Sequence, residues 1–289
     1  MKQVRWKCWI WCADSWGTDN GVSIVAASTF YRRLVPPVQT VQSDLNLFPP
    51  APPPFDRFIP VYLPMPQPKS GPSDGPSVVP IVLGDLKIEQ NEYRFPSSVT
   101  LVRDGDCTML VNTGTNLYKN TIIGGLAAHG LCPSDIQYLV LTHTDVDSAG
   151  NLNLFRSASI YTSNRLIKGD TVFRKTNAPQ FLANERLPSE KLCNNTDLYM
   201  TPGYSVHSLS VLVRNVRDFG SIAIVGNLIM NERDLADDPS ILSFFARDPK
   251  LQDIWQGVRR QMVCLADYII PGHGQTFRVT DAMRHAARC

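Results

Sequence analysis

The 289-residue sequence has no block of like charge: 28 Lys and Arg stand against 26 Asp and Glu, for a net charge of +2. That balance excludes a general electrostatic grip on nucleic acid and an acidic solvating tail. No apolar run approaches the roughly 20 residues a membrane span requires. The amino-terminal stretch Cys8-Trp9-Ile10-Trp11-Cys12 is too short, and too soon followed by Asp14, for a secretory core. A soluble intracellular protein, in the cytoplasm or also the nucleus, without a membrane partner, is the expectation. The seven cysteines (8, 12, 107, 132, 193, 264 and 289) are odd in number and contain no CxxC pair, which removes the common structural zinc modules and predicts reduced thiols. Internal repeats and heptads are absent too, so solenoids and coiled coils are excluded.

What is present is uneven. Fourteen of the 22 prolines fall between Pro36 and Pro80, where missing donors and fixed φ angles work against a regular core. Residues 1–76 are therefore expected to form a poorly ordered extension and linker, with a domain over 77–289. A polyproline ligand for a partner's aromatic groove is the other reading of that stretch.

From Ser77 the pattern changes. SVVPIVLGDL, SVTLVRDG and CTMLVNTG read as strands, the last two joined by the Asp104-Gly105-Asp106 turn. A helix is expected over TNLYKNTIIGGLAAHG, with Leu117, Thr121, Leu126 and Ala127 on one face and Gly130 as its cap. QYLVLTHT is a further strand. DLYMTPG, SLSVLVRN, SIAIVGNLI and DYIIPGHG form a second set, with helices over 233–266 between its last two members. Two batches of strands with helices after each predict two packed sheets with helices outside them, a four-layer αββα sandwich.

Polar residues at the carboxyl ends of strands are where such folds place chemistry. Four ends stand out: His143-Thr144-Asp145-Val146-Asp147-Ser148, Thr201-Pro202-Gly203-Tyr204, Gly226-Asn227 and Pro271-Gly272-His273-Gly274. Their order and spacing resemble the metallo-β-lactamase superfamily, whose first motif is HxHxDH, followed by TPGH, a strand-terminal Asp and PGHG. CTMLVNTG is similar to the family's VDTG strand. The resemblance covers about residues 77–279 and implies a hydrolase with two metal ions, usually zinc, that activate a bridging hydroxide. In one branch it implies endonucleolytic cleavage of histone pre-mRNA near its 3′ end, with RNA as the partner.

Carried over residue by residue, His143, Asp147 and His273 match the motif. Asp145 stands for the second histidine, Ser148 for the third, Tyr204 for the histidine of TPGH, and Asn227 for the bridging aspartate. Asn112 stands for the aspartate of VDTG, which supports the site in the family. Serine and a neutral amide are poor zinc donors, so two ions are not expected. His143, Asp145, Asp147 and His273, with the Asn227 carbonyl, would suit at most one ion, zinc by resemblance, with Asp147 as the catalytic carboxylate. The alternative is a non-catalytic binding or regulatory protein that uses the inherited cleft, as a homodimer or paired with an active relative. Asp145 and Asp147 also suit a helix start, where they would be turn-formers only.

Two further features carry less. Arg165, Lys168, Arg174, Lys175 and Arg186 make 163–191 the one locally basic loop, able to meet phosphates or merely solvated. Asn194-Asn195-Thr196 is a glycosylation sequon, without weight in a cytosolic chain.

Overall fold

The structure, a computed structural model, describes residues 75–89, 92–174, 186–235 and 252–289. Almost all of the expected 1–76 extension, Cys8 and Cys12 included, lies outside the described residues. Ser77–Val82 (β1) leads through a small antiparallel pair, Lys87–Ile88 (β2) and Tyr93–Arg94 (β3), into the hairpin Val99–Asp104 (β4) and Cys107–Val111 (β5). Lys119–Ala128 (α1) crosses to Tyr138–Val140 (β6), which runs parallel to β5; then follow Val146–Ala149 (α2), Ser159–Thr162 (β7), Arg165–Lys168 (β8) and Thr171–Arg174 (β9). These strands form one sheet in the order β1-β4-β5-β6-β7-β8-β9.

The second sheet begins with Ser189–Lys191 (β10), Thr196–Met200 (β11), Leu209–Val216 (β12) and Gly220–Gly226 (β13). Glu232–Leu235 (α3) and Gln252–Leu265 (α4) precede Tyr268–Pro271 (β14), Phe277–Arg278 (β15) and Asp281–Ala287 (α5), and the strand order is β10 through β15. β13 and β14 are parallel, and the other neighbours in this sheet are antiparallel.

Alternation along the strands builds the layers. Val102, Met109, Val111 and Val140 face Val211, Val213, Ile222, Ile224 and Ile270, forming the core between the sheets. Leu101, Leu110 and Leu139 point the other way, onto Ile122 and Leu126 of α1. On the far side Leu212, Ala223 and Val225 meet Trp255, Val258 and Met262 of α4. Helix, sheet, sheet and helix are thus stacked in the expected αββα order. Each fully buried Val, Leu or Met contributes about 1.5–3 kcal/mol, so the two-faced central strands carry much of the stability. Trp255 keeps its indole N–H satisfied by donating to the Leu228 carbonyl at 3.1 Å.

The structure departs from the sequence reading in four places. The helix expected from Leu117 starts only at Lys119, after a 3-10 turn; Leu117 is 85% exposed and the buried face is Ile122 and Leu126. Gly130, with φ +72°, does end it as expected. The basic loop is a hairpin in its first part, β8 and β9, whose exposed and mixed side chains hid the strand pattern; Lys175 lies outside the described residues. Of the helices expected over 233–266, α3 and α4 occupy the two ends, and 236–251 lies outside the described residues. Finally, the thiols are not all reduced: Cys107 pairs with Cys193 and Cys264 with Cys289, their Cα atoms 6.2 and 5.4 Å apart. Partners 86 residues apart in the sequence give no spacing signal, which is why the odd count misled.

Candidate metal centre

Both sheets deliver residues to one end of the sandwich. β5 runs out into Asn112, β6 into Thr142 and His143, β13 into Asn227, and β14 into Gly272 and His273. Gly226 adopts φ +53°, and a side chain there would run into Thr142, so glycine lets the end of β13 close against the end of β6. His143, Asp147, Asn227 and His273 are all at most 3% exposed. Asp147 reaches the site from the first turn of α2, and its own carbonyl accepts a hydrogen bond from the Ser97 hydroxyl.

The separations are short. His143 Nε2 lies 3.3 Å from both carboxylate oxygens of Asp147 and 3.2 Å from Asn227 Nδ2. His273 Nε2 lies 2.8 Å from Asn227 Oδ1 and 3.7 Å from Asp147 Oδ2. In a tetrahedral shell with metal–ligand bonds of about 2.0–2.2 Å, neighbouring ligand atoms sit about 3.3–3.6 Å apart.

Hydrogen bonds behind the rings fix where the protons are. Thr142 donates both its backbone N–H and its hydroxyl to Asn112 Oδ1, at 2.9 and 3.1 Å. Its hydroxyl oxygen is left to accept, and it accepts from His143 Nδ1 at 3.0 Å. A neutral imidazole carries one N–H, so His143 Nε2 presents a bare lone pair to the site. His273 Nδ1 faces the Pro96 carbonyl at 3.0 Å and must donate to it, which bares Nε2 again. That lone pair meets the Asn227 carbonyl oxygen, acceptor against acceptor. Turning the amide round moves the conflict to His143 without removing it.

A proton could relieve it, but burial pushes the His273 pKa down to about 4, against the opposing pull of Asp147. Burial also acts to raise the Asp147 pKa, yet the two imidazoles outweigh it and hold the carboxyl below its ordinary range. Two imidazole nitrogens, a carboxylate and an amide therefore converge; Asn227 Nδ2 answers the His143 lone pair, while that of His273 faces the Asn227 oxygen with no hydrogen between them. That donor set fits one divalent cation.

The remaining expected positions separate. Asp145 is exposed; one of its carboxylate oxygens lies within 4.8 Å of ligand atoms of His143 and Asp147. Its other engagement is with Tyr204, whose hydroxyl donates to Asp145 Oδ2 at 2.8 Å. Asp145 stands at the start of α2 without a side-chain capping bond. Tyr204 packs its ring edge on His143, and burial, reinforced by Asp145, raises its pKa, which keeps the phenol protonated. Ser148 turns away: its hydroxyl donates to the carbonyls of His143 and Asp145. The sequence reading missed Thr142 and the Pro96 carbonyl, which orient the two imidazoles, and Ser97. A common hydroxyl and a main-chain carbonyl leave no trace in residue identity.

The fold and this strand-end arrangement define a metallo-β-lactamase-type domain. The family profile described as metallo-beta-lactamase superfamily matches residues 93–276, and the chain belongs to that superfamily. Among its relatives, the uncharacterized protein C03F11.2 of Caenorhabditis elegans is 33% identical over 198 residues, 67% of this chain and 51% of that protein. Metallo-beta-lactamase domain-containing protein 1 of Xenopus laevis is 32% identical over 189 residues, 65% of this chain and 74% of the relative. The human protein of the same name is 30% identical, over 59% of each chain. The match thus spans only about half to three quarters of these relatives. A solved structure of a metallo-beta-lactamase candidate from Thermotoga maritima superposes with a TM-score of 0.50 at 15% identity, over 71% of this chain and 99% of that one. At that identity it bears on the fold alone.

Proposed function

We propose that this chain is a hydrolase with a reduced metal complement: one divalent ion, zinc by family resemblance, held by His143, Asp147 and His273 with the Asn227 carbonyl. The observation that carries the reading is the convergence of two imidazole nitrogens, a carboxylate and an amide oxygen in one buried cluster, with the His273 lone pair facing the Asn227 oxygen unanswered. A bound ion of this kind lowers the pKa of a water ligand and polarises a substrate oxygen. The chain's own residues do the rest. Thr142 and the Pro96 carbonyl fix both rings with Nε2 inward. Tyr204, a neutral phenol, has a hydrogen to donate to a substrate oxygen once it leaves Asp145, and the freed Asp145 carboxylate can take up a proton.

The branch of the family named in the sequence analysis would make the substrate an RNA phosphodiester. The mouth supports an uncharged ester better. Val146, next to Asp145, and Val206, two residues past Tyr204, are 78% and 58% exposed. An acidic carboxylate with apolar neighbours repels a polyanion and accepts an acyl chain. A second reading, a non-catalytic binding protein, draws on Asn227, since the bridging carboxylate that spaces two ions is replaced by a neutral amide.

Elemental analysis of the purified chain decides between them. About one ion per chain, lost in the His143→Ala/His273→Ala variant, together with hydrolysis of esters or lactones, supports the hydrolase. A folded chain with well under one ion and no turnover of ester, lactone or RNA leaves the binding protein.

A further inference from the structure

Two disulfides and the sequon are features that the catalytic reading does not use. Cys107 opens β5 and Cys193 lies between β10 and β11, so this bridge joins the two sheets. Cys264 in the last turn of α4 holds Cys289, just past α5. Four of the five cysteines among the described residues are thus oxidised. Disulfides form and persist in oxidising compartments and are rare where glutathione keeps thiols reduced. Asn194 directly follows Cys193 and heads Asn194-Asn195-Thr196. It is exposed on the turn before β11.

Its two neighbours are pinned and it is not. Asn195 donates its backbone and side-chain N–H groups to the Asp104 carboxylate at 2.6 and 2.9 Å, and the Thr196 hydroxyl donates to the same carboxylate at 2.9 Å. The turn is held from below while the Asn194 amide lies above Gly105, which has no side chain to crowd it. Asp104 and Cys107 bound the hairpin turn at the end of β4 and β5 opposite to Asn112. A large group on Asn194 would therefore stand at the far end of the strands from the candidate metal centre.

We propose that this domain matures in an oxidising secretory lumen and carries an N-linked glycan on Asn194. In the modification the Asn194 amide nitrogen displaces the pyrophosphate of a lipid-linked oligosaccharide. One N–C bond forms at the anomeric carbon, the C–O bond to pyrophosphate breaks, and the amide gives up one proton. Each disulfide forms as two thiols pass two electrons and two protons to a disulfide-bearing oxidant, which becomes a dithiol.

The test uses the full chain made in insect cells and directed into the secretory pathway. Lysis into an alkylating reagent is followed by mass mapping, with and without peptide N-glycosidase. The expected result is Cys107, Cys193, Cys264 and Cys289 protected from alkylation until reduction. The glycosidase should remove one glycan, absent in Asn194→Gln and retained in Thr196→Ser, which keeps the hydroxyl facing Asp104. Asn194→Gln leaves the Asp104 anchors in place, so lost glycan cannot be confused with lost fold. Alkylation of these four cysteines in the folded chain overturns the proposal, and so does a chain with both bridges but no glycan on Asn194.

Discussion

At the scale of single residues the site works through what stands behind its ligands. Thr142 spends its only hydroxyl hydrogen on Asn112, and so turns His143 Nε2 into a lone pair. Thr142→Val keeps the shape and removes that acceptor; metal affinity, measured by competition with a chromogenic chelator, should fall about 10–100-fold. His273 gives a second handle. Its pKa is about 4 in the folded chain against 6.5 ordinarily, so between these values the unfolded chain binds more protons. Stability is then full above about pH 6.5 and declines toward pH 4, by about 2–3 kcal/mol at pH 4.5 for this one group. Urea unfolding of the chelator-treated chain at pH 7 and pH 4.5 should show this loss, and His273→Gln should lack it. Equal acid sensitivity in both proteins would sink the assignment.

Among the elements, legibility followed burial. The strand ends that carry His143, Asn227 and His273 could be located because near-continuous apolar runs mark where each buried strand stops, but it was the resemblance to the superfamily's motifs that named these residues, and Asp147 with them, as ligands. β7 to β9 escaped because Ser, Thr, Arg and Lys at half-exposed or exposed positions blur any period of two. Helix α1 was found but misphased: its apolar residues were counted through Leu117, although the 3-10 turn before Lys119 breaks the helical register. The corrected face makes a contrast that can be measured. Leu126→Ala, fully buried against the sheet, should cost about 2–5 kcal/mol in chemical denaturation. Leu117→Gln should change stability by less than about 0.5 kcal/mol.

For the whole molecule, what the sequence could not disclose was pairing over distance. Cys107 and Cys193 close a loop of 86 residues, worth about 4–5 kcal/mol on the chain-entropy account. Cys193→Ser should therefore lower the denaturation midpoint well below that of the oxidised protein, and the two should converge once both are reduced. The bridge also has a geometric result. Asn112 and His143 ride on one sheet and Asn227 and His273 on the other, while the covalent tie between sheets lies at the opposite end. The sandwich is built like a pair of tongs riveted at the heel, so how tightly the jaws can grip is set by a bond five residues of strand away from the nearest of them.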